Sequence, residues 1–185
     1  MKIVAIIPAR GGSKRLVNKN IYPLMEKPLI KWTIDAAKNS KFIQDIYVTT
    51  DCDNIKQVVI DDCKIIERPI ELGLDHIWMQ EPITHAVEQI EDLQDDDLVV
   101  ILQANSPEMN SETIDKCIQY TVDNNLWQMS TVDKNNTNNS HICVIRKNVC
   151  YHKGKANYNG FIQVDWIDVH TIDDIENVKQ KLNIK

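Results

Sequence analysis

Residues 2–8, Lys-Ile-Val-Ala-Ile-Ile-Pro, form an unbroken apolar run stopped by a proline. A run this short with no polar alternation reads as a central strand buried on both faces. Such a strand needs an apolar layer above and below it, which in a chain of 185 residues means one α/β domain spanning 1–185. The rest of the sequence follows that pattern. Residues 45–50 (DIYVTT), 63–66 (CKII) and 98–102 (LVVIL) read as further strands. Between them, Leu29, Ile30, Trp32, Thr33, Ala36 and Ala37, then Ile55, Val58 and Val59, fall at helical spacing. Ile83, Ala86, Val87 and Ile90 predict a helix over 76–91, and Ile114, Cys117, Ile118 and Thr121 another. Residues 128–132 and 141–146 read as late strands, separated by an Asn-rich loop at 133–140. Thr171 and Asp174 cap a last helix carrying Ile175, Val178 and Leu182. The expected fold is a mainly parallel, mixed sheet flanked by helices.

In open α/β sheets, ligands bind beyond the carboxyl ends of the strands. The segments to inspect are therefore 9–20, 49–53, 67–75, 103–109 and 165–170. The first is the most informative. Gly11 and Gly12 let backbone approach a ligand and turn N–H groups inward, and Ser13 adds a hydroxyl. Arg10, Lys14, Arg15 and Lys19 place four cations within ten residues. Donors and cations clustered after a buried strand suit a polyphosphate. The spacing is neither GxxxxGK[ST] nor GxGxxG, so a Walker loop and a dinucleotide fingerprint are disfavoured.

Elsewhere the chain is acidic, with a formal charge of −6. That excludes a non-specific binder of nucleic acid or anionic membrane. No apolar run approaches the roughly 20 residues of a membrane span, and the N-terminus reads as a strand rather than a signal peptide. The five cysteines are odd in number with no CxxC pair. They read as small hydrophobes in a reducing, cytoplasmic setting. Gln103, Asn105 and Ser106 after a buried strand read as ligand contacts. Asp51 reads as a capping or loop-fixing carboxylate, Asp95–Asp97 as a solvated turn, and Trp78 and Met79 as packing residues. Arg68 is either a ligand contact or a surface arginine. His76, His85, His141 and His152 show no paired partner.

The segment IIPARGGSKRLVNKN resembles the signature loop of the acylneuraminate cytidylyltransferases, which activate acidic sugars. The resemblance continues through KPLIKWTIDAA, IYVTTD, ERPIELGLD, DDDLVVILQANSP and WIDVHTIDDIENVK, covering most of 1–110 and 165–182. It implies a Rossmann-like nucleotidyltransferase fold. It also implies transfer of CMP from CTP to an acidic sugar, with pyrophosphate released and Mg²⁺ assisting. Carried over by position, Arg10, Gly11, Gly12, Ser13 and Lys19 would hold the triphosphate, with Arg10 and Lys19 catalytic. Asn20 and Arg68 would lie near the cytidine, Gln103 would face the sugar, and Asp168 would be a catalytic metal ligand.

The chain departs from that pattern at places that matter. Asp168-Val169-His170 stands where the family has Asp-x-Asp, so His170 takes the second metal position and tilts the expectation towards Mn²⁺. Met109 replaces an arginine, and the dimerisation insertion has little room between 133 and 164. A monomer, or a dimer through another surface, is expected. These departures keep two alternatives open: another acceptor or nucleotide, and a nucleotide-binding pseudoenzyme.

Overall fold

The computed structural model describes residues 1–151 and 158–183. Strand β1 (Ile3–Pro8) is buried along its whole length. Its side chains alternate between two cores, as strand geometry requires. Ile3, Ala5 and Ile7 enter one; Val4 and Ile6 enter the other. A short hairpin, β2 (Pro23–Leu24) and β3 (Lys27–Pro28), leads into α1 (Leu29–Lys38). Then follow β4 (Asp45–Thr50), α2 (Asp53–Val59), β5 (Lys64–Glu67), α3 (Gln80–Glu88), β6 (Leu98–Leu102) and α4 (Ser111–Asp123). The chain continues through β7 (Gln128–Val132), β8 (Asn138–Arg146), β9 (Asn159–Gln163) and α5 (Ile172–Asn183).

The main sheet has the order β5-β4-β1-β6-β8-β7-β9. β5, β4, β1 and β6 run parallel; β8 is antiparallel to β6 and β7, and β9 is parallel to β7. The mixed α/β sheet expected from the sequence is present. Helices α1, α2 and α4 cover one face through Ile30, Ile34, Ile55, Val59, Ile114 and Ile118. On the other face α3 packs Ile83, Ala86 and Val87 onto Val4, Ile6 and Val99. A third cluster joins Leu16, from the glycine-basic loop, to Leu24, Leu29, Val169, Ile175 and Val178. It ties that loop to the segment before α5. The capping box of α5 forms as expected: Thr171 Oγ1 donates to Asp174 and accepts from the Asp174 N–H.

Several expectations need correction. Helix α3 starts at Gln80, later than the expected 76, and Trp78 and Met79 are exposed rather than packed. The apolar periodicity that matters begins at Ile83, and His76, Trp78 and Met79 ahead of the helix are exposed. β8 begins at Asn138, so the loop shrinks to a turn in which Asp133 Oδ1 accepts the N–H groups of Asn135 and Thr137. β9 went unread because Asn159-Gly160 at its start is a turn signal. Cys117, Cys143 and Cys150 are buried and Cys63 half-buried; burial pushes Cys117 and Cys150 up to about 12 and Cys63 to about 11. His152 lies outside the described residues. Among the described residues no helix is long and apolar enough to cross a membrane.

Asp97 is not a solvated turn residue. It is buried and accepts the backbone N–H of Lys2 at 2.6 Å and of Gln94 at 2.7 Å, locking the entry of β6 to the start of β1. Asp97→Ala orphans both donors, and each buried unsatisfied group costs about 1–3 kcal/mol. Urea unfolding should show a loss of at least about 2 kcal/mol, smaller for Asp97→Asn, which keeps an acceptor oxygen. An unchanged midpoint in the alanine variant would contradict this role.

Candidate active site

The carboxyl ends of β1, β4, β5 and β6 point the same way, so the loops that follow them meet. β1 sits between β4 and β6, which makes its end the topological switch point of the sheet. A cleft of about 410 Å³ opens there. Arg10, Ser13, Lys14, Arg15, Lys19 and Asn20 come to it from the glycine-basic loop, Arg68 and Asp75 from beyond β5, Gln103 and Asn105 from beyond β6, and His170 from the segment before α5. Of the site residues inferred from sequence, Arg10, Ser13, Lys19, Asn20, Arg68, Gln103 and His170 all line this cleft. Asp168 joins it through His170, and Gly11 and Gly12 lie in the same loop.

The loop is held open by neighbours of opposite charge. Asp51 Oδ1 accepts the Gly11 N–H at 3.0 Å, the loop-fixing role expected of it. Arg10 donates to the Gly73 carbonyl at 3.1 Å and pairs with Asp75 at 2.8 Å; Lys14 pairs with the other Asp75 oxygen. These two cations hold the Asp75 carboxyl below the usual carboxylate range. Asn20, buried, donates its amide to the Arg10 carbonyl at 3.0 Å. Lys19 is more enclosed. Burial lowers its ammonium pKa, Asp168 opposes that, and Arg15 and Arg10 reinforce it. An anion entering the cleft would relieve that strain on charge.

Arg68 is not a surface arginine. It is 6% exposed and donates to the Thr49 carbonyl at 2.8 Å. Its guanidinium is disfavoured by burial and supported by Asp51. It therefore anchors the β4 and β5 loops while one side lines the cleft.

Residues 165–170 form a strap across the end of β6. Asn105 is the stitch: its amide donates to Asp168 Oδ1 and to the Val169 carbonyl, and its own carbonyl accepts the Val169 N–H at 3.1 Å. Asp168 Oδ2 lies 2.8 Å from His170 Nε2, so the two side chains face the same way, as alternate residues of an extended segment do. His170 Nδ1 lies 3.0 Å from Arg15 Nη2 and 3.5 Å from Lys19 Nζ. A guanidinium can only donate, so the network assigns Nδ1 as acceptor and Nε2–H as donor to Asp168. Neither ring nitrogen then has a lone pair to spare. Among the described residues no group of three or more His, Cys, Asp or Glu could hold a metal ion. One carboxylate, Asp168, fits a hard cation if phosphate oxygens and water complete its shell, the usual arrangement for Mg²⁺ at a nucleotide.

A family model for cytidylyltransferases matches residues 4–159. The chain belongs to the cytidylyltransferase family. It is 33% identical over 135 residues to a 3-deoxy-manno-octulosonate cytidylyltransferase of Bdellovibrio bacteriovorus, covering 71% of this chain and 51% of the relative. It is 37% identical over 119 residues to an N-acylneuraminate cytidylyltransferase of Escherichia coli, covering 64% and 28%. The chain thus spans about half the length, or less, of these curated relatives. A solved structure of CMP:2-keto-3-deoxy-manno-octonic acid synthetase complexed with CTP superposes with a TM-score of 0.81 at 16% identity, covering 100% of this chain and 99% of that one. At that identity the likeness is one of fold.

Three residues in and around this site are not marked by the sequence. Glu108, its side chain 1% exposed, accepts the Ile167 N–H at 2.7 Å and pairs with Lys181 at 2.9 Å. His141, read as unpartnered, is buried and lies 2.5 Å from Ser106 Oγ, with its ring edge-on to Trp166. Burial lowers its pKa, against Asp168 and Glu108. Both residues brace the strap that carries Asp168. The third, Asp75, had only its position beyond β5 to mark it.

The two glycines of the loop differ. A Cβ at Gly11 would stand 2.8 Å from Cys52 Cβ, whereas one at Gly12 would meet nothing within 4 Å. Overpacking typically costs about 1–3 kcal/mol. Gly11→Ala should therefore lower the denaturation midpoint by that measure while Gly12→Ala leaves it within about 0.5 kcal/mol. Equal effects in the two variants would show that the Cys52 contact does not govern this loop.

Proposed function

We propose that the protein transfers CMP from CTP to an acidic sugar. The observation that carries this reading is the single cleft at the switch point, where five cations from two loops face two polar residues beyond β6. The sugar hydroxyl oxygen bonds to the α-phosphorus, the bond from that phosphorus to the β-bridging oxygen breaks, pyrophosphate leaves, and the hydroxyl proton passes to water. Such a transfer needs positioning and charge neutralisation more than covalent help. Arg10, Ser13 and Lys19, with the N–H of Gly12, hold the triphosphate, and Gly11, its own N–H held by Asp51, lets the backbone approach it. Lys19 and Arg10 stabilise the charge that gathers on departing pyrophosphate. Asn20 and Arg68 lie on the cytidine side, and Gln103 faces the acceptor. A divalent cation, Mg²⁺ or Mn²⁺, would be held by Asp168 and would neutralise phosphate charge.

In a thermal-shift screen with Mg²⁺, CTP should stabilise the protein more than ATP, GTP or UTP. Ligand at about 100 times its Kd adds about 2.7 kcal/mol. Lys19→Ala should cut pyrophosphate release with CTP and N-acetylneuraminate or 3-deoxy-manno-octulosonate by about 100-fold, the typical effect of removing one preorganised donor. Equal shifts with all four nucleotides would remove the base preference, and a near wild-type rate for Lys19→Ala would remove its phosphate role.

His170 gives a second test. In its present arrangement it neutralises part of the demand of Asp168 without adding a negative charge. His170→Asp supplies a second carboxylate for a hard cation and should raise turnover at limiting Mg²⁺, by up to the 10- to 100-fold typical of metal-site support. Asp168→Asn should lower it. If His170→Asp leaves the Mg²⁺ titration unchanged, the histidine is a bystander that merely braces Arg15 and Asp168.

A further inference from the structure

Two further segments complete the cleft around the glycine-basic loop, and they are fastened differently. The strap at 165–170 is held by groups outside the cation cluster. Lys181 donates to the Asp165 carbonyl, Glu108 accepts the Ile167 N–H, Asn105 holds the Val169 N–H and carbonyl, and Asp174 accepts the His170 N–H at 2.9 Å. The segment between β5 and α3 has no such fastening. From Pro69 to Glu81 no residue is buried. Its apolar side chains stand in solvent: Ile70 is 73% and Trp78 75% exposed, and Leu74 and Met79 are exposed as well. Its backbone hydrogen bonds are local, such as Leu72 N–H to Pro69 and Ile77 N–H to Leu74, until Met79 runs into α3. Among the described residues, the polar groups that tie 69–79 to the rest of the fold are two side chains of the glycine-basic loop. Arg10 donates to the Gly73 carbonyl at 3.1 Å and pairs with Asp75 at 2.8 Å, and Lys14 takes the other Asp75 oxygen.

A close approach makes these ties possible. A Cβ at Gly73 would collide with the Asp51 carboxylate, whose other oxygen holds the Gly11 N–H. Glycine at 73 therefore lets the segment lie against the glycine-basic loop. Asp75 then meets two cations, one with each carboxylate oxygen, as an oxyanion ligand would. All three side chains are partly exposed, and pairs of that kind are weak. A phosphate group brings more charge and more acceptor oxygens to the same two cations. Once it displaces the carboxylate, the segment has lost its ties to the loop.

Building on the cytidylyl-transfer reading, we propose that Asp75 is an internal competitor for the anion subsite of Arg10 and Lys14, and that a polyphosphate displacing it unlatches segment 69–79. Asp75 is thus a positioning residue, acting through two cations and touching no reacting atom. It lowers the affinity of the cleft for every polyphosphate by the fraction of molecules in which the latch is closed. This favours turnover at its last step. As pyrophosphate departs, the carboxylate returns, and the two cations regain a partner.

The test titrates inorganic pyrophosphate, without metal or nucleotide, into the wild-type protein, Asp75→Asn and Glu71→Gln in a calorimeter. Asp75→Asn should bind about three- to tenfold more tightly, the gain expected when the anion-competent state is about a third to a tenth populated. Glu71→Gln removes the same charge from an exposed position of the same segment and should change affinity by less than about twofold at physiological salt. A misfolded variant would not gain affinity. Equal gains in the two variants, or an unchanged or weaker affinity in Asp75→Asn, overturn the proposal. In the wild-type protein, amide exchange across 69–79 should speed up on saturation with pyrophosphate; unchanged or slowed exchange there overturns the unlatching. Calorimetry needs no turnover, so the transfer reading is tested apart from the latch. If the affinities follow the expected ratios but CTP with either sugar acid releases no pyrophosphate, the transfer reading falls and the latch stands. If pyrophosphate binds neither the wild-type protein nor Asp75→Asn, the latch falls.

Discussion

Strand β1 is hydrogen-bonded along both edges, to β4 and to β6, and is buried on both faces. Its end is therefore the most constrained point of the fold, and the cation-rich loop starts there. Like charges gathered in one cleft repel, by about 4 kcal/mol per close pair at an effective dielectric near 20. A flexible loop would splay to relieve that. Here the backbone cannot move far. Asp51 grips the Gly11 N–H, Asn20 grips the Arg10 carbonyl, and Leu16 is sunk in the cluster with Val169 and Ile175. Asp75 and Asp168, from two other loops, supply the compensating charge. Asp75 sits where an anion would be held by Arg10 and Lys14, so an anion entering there would take the place of a carboxylate already present.

The strap at 165–170 obeys a different constraint. Its backbone groups lie against the end of β6, where they would be orphaned without partners. Asn105 satisfies two of them, the Val169 N–H and carbonyl, and also holds Asp168 Oδ1; Glu108 satisfies the Ile167 N–H from a nearly buried position, itself balanced by Lys181. A buried carboxylate without Lys181 would carry a heavy desolvation cost. Behind them His141 and Ser106 form a second buried polar pair. Fully satisfied networks of this kind specify one arrangement, and the arrangement they specify sets Asp168 beside Lys19 and His170 beside Arg15. The geometry at His170 thus depends on residues such as Glu108 and His141 that lie behind the cleft lining.

What was legible in the sequence was what local pattern encodes. Doubly buried strands such as 98–102 announce themselves by composition, and the loops after them carry the polar clusters that meet at the switch point. Arg10, Lys19, Arg68 and Gln103 could be found that way. The pairings that brace the site could not. Asn105 and Asp168 are 63 residues apart, and Ser106 and His141 are 35 apart. Only the sheet order brings them together. Asp97 misled for the same reason: in a run of three aspartates, nothing local distinguishes the one that turns inward to meet Lys2 from its two exposed neighbours. Strand β9 was hidden because its pairing with β7 overrides the turn preference of Asn159-Gly160. Gly160 is tolerated because Tyr120 and Leu126 occupy the space where its Cβ would stand.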